Sequence, residues 1–214
     1  GGIEKHVAKK FGDHVTGDTL VLHGLKDRGF HGERNAIQFY DFGTEFHDCI
    51  PVKSRKTADT DVAFRQFFGP DEKAKLFYSD RAPELLEAAK KYSDHDRQSV
   101  PAAPRTNAIA ENKVKLSLHG TRALLRQAGL PAKYWPYAIR AFNAGLNFDR
   151  RKGTSPWERR HGKRFEGKEI PFGCLVDYYP LLERPQKKPK KPKDDDGADA
   201  QVTTSQFLSI TEIN

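Results

Sequence analysis

This chain of 214 residues predicts an α/β domain, a mixed sheet with helices laid against it. Three observations predict that class. Short runs of β-branched and aromatic residues open the chain, segments of helical periodicity follow, and the two patterns alternate as strand, helix, strand, helix. A crossover between parallel strands in such a layout is right-handed.

Residues 1–10 are polar, basic and without periodicity, and read as a linker. The first strand is predicted over 15–22, with Asp18 inside it, and a charged, glycine-bearing connector over 24–34 reads as a hairpin loop. Residues 36–40 and 44–52 predict the second and third strands, with Asp41, Phe42 and Gly43 turning between them. Thr57 is the expected N-cap of a helix through Phe68, packing on Ala63, Phe64, Phe67 and Phe68 and stopped by Gly69-Pro70. Leu76-Phe77-Tyr78 reads as a buried fourth strand that ends at Asp80.

A short helix is expected over 83–91, with proline in its first turn. A loop rich in turn formers then leads to Thr106 or Asn107 as the N-cap of a long helix. Beyond Gly129-Leu130-Pro131, the stripe Trp135, Ile139, Phe142, Leu146 predicts a further core helix. The domain is placed at 11–165, a small β extension at 166–182, and an unfolded tail of Pro/Lys and then Asp residues at 183–214.

Lys and Arg number 37 against 29 acids, a formal charge of +8, which favours a polyanionic partner. The surplus is local: fourteen bases stand against four acids over residues 111–168. Cys49 and Cys174 are the two cysteines, too few and too far apart for a disulfide framework or a cysteine-based zinc site, and a reducing compartment is expected. No apolar run approaches the roughly twenty residues needed to cross a bilayer, so no membrane partner is expected. The chain lacks methionine and begins Gly1-Gly2, and we expect a segment of a longer polypeptide.

Asp80 after an apolar strand and Glu111 in the first two turns of the long helix are two acids that could share a metal. On that helix Glu111, Lys115, His119, Arg122 and Arg126 share one face, while Ala110, Val114, Leu118, Thr121, Leu125 and Ala128 share another. A carboxylate leading a row of bases suits a metal beside a phosphate chain, although mixed charges are also the ordinary wet face of an amphipathic helix. Asn107, Lys113, Lys115, Arg122 and Arg126 are the candidate DNA contacts. His14, His95 and His119 read as surface or packing residues.

Phe11-Gly12-Asp13 leading to Thr16-Gly17-Asp18, Tyr78-Ser79-Asp80, and Pro104-Arg105-Thr106-Asn107-Ala108-Ile109-Ala110-Glu111 together resemble the integrase core of copia-like retrotransposons. So do Thr121-Arg122-Ala123-Leu124-Leu125, Gly129-Leu130-Pro131 with Tyr134-Trp135, Thr154-Ser155-Pro156-Trp157-Glu158, and Ile170-Pro171-Phe172-Gly173. The resemblance runs from Phe11 to Pro180. It implies a ribonuclease H-like fold with a mixed five-stranded sheet flanked by helices. It also implies two divalent ions, Mg²⁺ or Mn²⁺, held by Asp18, Asp80 and Glu111.

The activity implied is DNA 3′-end processing and strand transfer on element ends and a target duplex, by a homo-oligomer acting in the nucleus or carried in a cytoplasmic particle. Asp41 is the alternative first carboxylate, and Asp18 is preferred because the family's first acid lies on the opening strand. Arg81, Ala108 and Asn112 depart from the family's usual Asn, Gly and Arg, so a non-catalytic relic that binds nucleic acid is the alternative reading. A nuclease of the same fold acting on RNA–DNA hybrids is a third.

Overall fold

The computed structural model describes residues 8–22, 24, 28–79, 82–98, 104–151 and 153–176. Five strands form one sheet: β1 (Val15–Val21), β2 (Asn35–Asp41), β3 (His47–Val52), β4 (Ala74–Ser79) and β5 (Ser93–Gln98). Their order is β3-β2-β1-β4-β5, with β1–β2 and β2–β3 antiparallel and β1–β4 and β4–β5 parallel. The helices are α1 (Thr57–Phe68), α2 (Pro83–Tyr92), α3 (Pro104–Ala128), α4 (Trp135–Phe148) and α5 (Pro156–His161), with a short 3-10 turn at Ala132–Tyr134.

The period-two alternation of the central strands separates two cores. Val15, Ile37, Phe39, Ile50, Val52 and Phe77 face α1 and α2, where Phe64, Phe67, Phe68, Leu85 and Tyr92 close over them. Leu20, Ala36 and Cys49 point the other way, toward Leu125 of α3 and Trp135, Ala138 and Ile139 of α4. Gly17 is where β4 presses hardest on β1: a Cβ there would meet the Phe77 ring at 2.7 Å, so only glycine fits.

Several expectations shift. The third strand begins at His47, because Asp41 turns the chain first: its carboxylate accepts from Thr44 N (2.7 Å), Thr44 Oγ1 (2.7 Å) and Gly12 N (2.9 Å). Thr57 is the first helical residue of α1 and Lys56 the cap, without a side-chain cap bond. Instead, Asp59 in the first turn accepts from both the amide and the hydroxyl of Ser54. The long helix starts at Pro104, ahead of Thr106 and Asn107. The expected linker at 1–10 is, over its described residues, tied to the domain: the amides of Lys9 and Lys10 donate to Asp13, each at 2.9 Å.

β5 and α5 are elements that the sequence reading leaves out. β5, Ser-Asp-His-Asp-Arg-Gln, is a polar edge strand held through backbone pairing to β4 from Ala74↔Ser93 to Ser79↔Gln98. α5 carries a full capping box, Glu158 N donating to Ser155 Oγ (3.1 Å) and Ser155 N to Glu158 Oε2 (2.9 Å). The chain divides into two compact units after Gly173. The described part of the expected β extension, residues 166–176, contains no strand, and Phe172 packs into the α3–α4 core. The rest of that extension and the tail at 183–214 lie outside the described residues.

The open edge of β3 is closed by a side chain. Asn147 of α4 accepts from His47 N (3.1 Å) and donates to His47 O (2.7 Å), pairing with the strand as another strand would. Both partners are buried. Asn147→Ala leaves a buried N–H and C=O without that partner and is expected to destabilise the fold by about 2 kcal/mol or more, measured by urea unfolding.

Candidate active site

Asp18 sits in β1 on the face that carries Leu20, so its side chain is directed to the α3–α4 side of the sheet. It is half-buried, and Oδ1 accepts from Thr19 N at 2.8 Å. Its register partner on β2 is Gln38, and Gln38 pairs in turn with Cys49 on β3. Burial raises the Cys49 thiol well above its ordinary value, and the carboxylates of Asp48 and Asp18 push in the same direction.

On the other side of Asp18, β1 and β4 run parallel with Gly17 opposite Ser79. Each of those two residues immediately precedes an aspartate in the chain. Asp80 itself lies outside the described residues.

α3 packs across β1 and β2. Its faces are those the periodicity predicts: Ala110, Thr121 and Leu125 are buried, while Glu111, Lys115, His119, Arg122 and Arg126 are exposed. Ser117 fixes the helix on the sheet, donating to Gln38 Oε1 at 2.7 Å, with Asn143 Oδ1 of α4 at 3.1 Å. Gln38 Nε2 in turn donates to the carbonyls of Phe39 and Asp48. Glu111 stands six residues before Ser117, about 9 Å back along the helix axis at 1.5 Å per residue. Among the described residues, no group of three or more His, Cys, Asp or Glu side chains gathers as a metal site.

No protein-family model matches the chain. In sequence it is 27% identical over 171 residues, 73% of the chain, to the retrovirus-related Pol polyprotein from transposon RE2 of Arabidopsis thaliana. It is also 27% identical over 112 residues, half of the chain, to the corresponding polyprotein from transposon RE1 of the same plant. It spans 11% and 8% of the length of those relatives. In structure it is similar to the catalytic core domain of BIV integrase, with a TM-score of 0.50 at 10% identity, covering 69% of this chain and 92% of that one. A chain of the simian T-cell lymphotropic virus intasome gives a TM-score of 0.55 at 11% identity, covering 85% of this chain and 62% of that one. In sequence the chain is similar to retrotransposon Pol polyproteins, and in fold to retroviral integrase catalytic cores. Its mixed five-stranded sheet with flanking helices is the ribonuclease H-like fold.

Lys115, Arg122 and Arg126 follow Glu111 along the exposed face of α3. Lys113 lies on the opposite flank. It is half-buried, its ammonium 4.6 Å from the centre of the Tyr40 ring, and burial lowers its pKa. Asn107 belongs to the first turn of α3. Of the histidines, His14 stacks on Phe42 at 4.4 Å, whereas His95 and His119 are exposed. Asp41, the alternative first carboxylate, is fully buried and spends its oxygens on the Gly12 and Thr44 hydrogen bonds of its turn. The sequence reading assigns no role to Gln38 or Ser117. The signal for Ser117 is its place on the same apolar stripe as Ala110 and Thr121.

His47 completes the polar layer beneath α4. Its Nδ1 lies 3.0 Å from the Glu45 carbonyl, which can only accept, so Nδ1 carries the proton of the neutral ring. Burial holds its pKa down to about 4, against an ordinary 6.5. Between those values the unfolded chain binds a proton at His47 that the folded chain refuses, so the contribution of His47 to stability falls as pH drops from 6.5 to about 4 and is level above 6.5. His47→Gln is expected to flatten that limb of the Tm-versus-pH curve.

Proposed function

We propose that this core is the catalytic domain of a copia-like retrotransposon integrase, acting on DNA by 3′-end processing and strand transfer. The observation that carries the reading is the parallel register Gly17↔Ser79, because Asp18 and Asp80 are the residues that follow and α3, which bears Glu111, packs across the same strand. Hard carboxylate oxygens from β1, from the residue that follows β4 in the chain and from a covering helix would be the donor set that Mg²⁺ or Mn²⁺ prefers. Two such ions held by Asp18, Asp80 and Glu111 would supply Lewis acidity to the phosphodiester.

The chain's own residues have separable tasks. Ser117 and Gln38 hold α3 at a fixed height on β1–β2 and thereby position Glu111 relative to Asp18. Lys115, Arg122 and Arg126, with Asn107 ahead of them on α3, hold the DNA backbone, while Lys113, on the opposite flank, rests against the Tyr40 ring instead. An in-line displacement at phosphorus needs an oriented hydroxyl and no protein nucleophile. The protein is proposed to act as a homo-oligomer on element ends and target duplex, in the nucleus.

The departures at Arg81, Ala108 and Asn112 favour one second reading, a relic that binds DNA without joining it. A joining assay with duplex element ends, a target plasmid and Mg²⁺ decides between them. Joined product from the intact chain, and none from Asp80→Asn, supports the enzyme. No joining by the intact chain, with DNA binding unchanged by chelation, supports the relic.

A further inference from the structure

A second cationic surface lies around the connection between β1 and β2. Arg28, His31 and Arg34 from that connection, with Lys53 and Arg55 from the loop after β3, line an open cleft of about 580 Å³. Its described lining residues carry no carboxylate, and beside it the Glu33 carboxylate accepts from His31 N at 2.9 Å. Arg55 is ion-paired to Glu84, while Arg28, Arg34 and Lys53 are exposed.

Residues 29–34 of the connection are braced as a platform. Gly29 N donates to Glu33 O (2.8 Å), Gly32 N to Gly29 O (3.0 Å) and Arg34 N to Val52 O (3.2 Å). The Arg28 guanidinium lies over Gly32, whose φ of +96° and lack of a Cβ admit it.

An aromatic surface adjoins the cleft through His31. Phe30 is 47% exposed, and it is the one aromatic ring among the exposed large apolar side chains of the described residues. The ring stacks on Tyr134 (5.2 Å, 18°) and stands perpendicular to the His31 ring (5.0 Å, 89°). His31 Nε2 is 2.5 Å from Tyr137 Oη, and Lys133 Nζ stands 5.3 Å from the Phe30 ring centre.

From this arrangement we propose that residues 28–34 of the β1–β2 connection, with Lys53, form a binding site for single-stranded nucleic acid. Phosphates of the strand run along Arg28, Arg34 and Lys53, and an unpaired base stacks on Phe30. Each part excludes a competitor. An acidic peptide would use the cations and leave the ring idle, and a duplex would satisfy the cations while its base faces stay hidden within its own stack. Rings and cations side by side match a polyanion with exposed π-faces. The site rests on the geometry of this connection and not on the chemistry proposed for Asp18, Asp80 and Glu111.

The test measures binding of the full chain to labelled oligothymidylate and to a blunt duplex by fluorescence anisotropy across a salt series. Phe30→Ala and Phe30→Leu are each expected to weaken oligothymidylate binding about fivefold or more and to leave duplex binding unchanged, with Phe30→Tyr restoring the affinity. The double variant Arg34→Ala/Lys53→Ala is expected to lower the log–log salt slope for the single strand by about 0.7 for each phosphate no longer neutralised.

Oligothymidylate affinity unchanged in both Phe30→Ala and Phe30→Leu overturns the proposal. So does displacement of the oligonucleotide by polyglutamate as readily as by unlabelled oligothymidylate. Asp18→Asn is expected to bind oligothymidylate as the parent chain does, so failure of the joining chemistry and failure of this site read out separately.

Discussion

Asp18→Asn is expected to lower strand joining in Mg²⁺ by about a hundredfold or more while the fold and DNA binding are kept. The substitution preserves size and the acceptor oxygen that receives Thr19 N, so β1 keeps its local bond. It removes the negative charge beside β4, and with it one of three hard ligands. Lewis-acid stabilisation of a phosphoryl transition state is worth several kcal/mol, and each 1.36 kcal/mol is tenfold in rate. Asp41→Asn should behave differently, because Asp41 is fully buried and its oxygens close the Thr44 turn and hold Gly12. That variant is expected to lose thermal stability, with joining per folded molecule retained. Both are read by quantifying product against the folded fraction from circular dichroism. Full joining by Asp18→Asn, or its abolition by Asp41→Asn in well-folded protein, would exchange the roles of the two residues.

The contrast between those aspartates shows what a sequence can and cannot display. β1 is legible because Val15, Leu20 and Val21 are apolar or β-branched, and its period of two already assigns Asp18 and Leu20 to one face. α3 is legible for the same reason at a period of 3.6, which separates Ala110, Thr121 and Leu125 from Glu111, Lys115, Arg122 and Arg126. β5 is not, because an edge strand can be held by backbone bonds alone and its residues Ser93 to Gln98 carry no apolar alternation. α5 could have been found, since Ser155 and Glu158 are a capping box three residues apart in plain view.

The buried polar layer is the least visible part. Gln38, Ser117, Asn143 and Asn147 are polar residues whose partners come from strands and helices distant in sequence, and only when those meet do their hydrogen bonds to one another and to β3 exist. The candidate site is divided in the same way. Its acids are visible as strand-end and helix-start residues, whereas the Ser117–Gln38 bond that sets the height of α3 on the sheet is a product of the fold.

Phe39→Ala is expected to destabilise the protein by about 3–5 kcal/mol, a large share of the roughly 5–15 kcal/mol that holds a domain folded. Phe39 is fully buried in β2 and is the hub of the core under α1. Its ring stacks on Phe67 (4.7 Å, 17°), meets Phe64 edge-on (4.9 Å, 86°) and lies 6.4 Å from Phe77 of β4. Truncation removes the ring's burial and leaves a cavity among side chains that are themselves wedged in place: Phe64 also packs against Phe77, Phe68 and Tyr92. Collapse into the space would have to move α1 and β4 together, so relaxation is limited and the full cavity cost applies. Phe30→Ala is the internal control. It deletes the same ring from a site that is 47% exposed and is expected to cost well under about 1 kcal/mol. Urea unfolding of the two variants separates a ring that holds the fold together from one presented to a ligand. Equal losses from both would show that Phe30 belongs to the core and would remove the stacking surface from the β1–β2 connection.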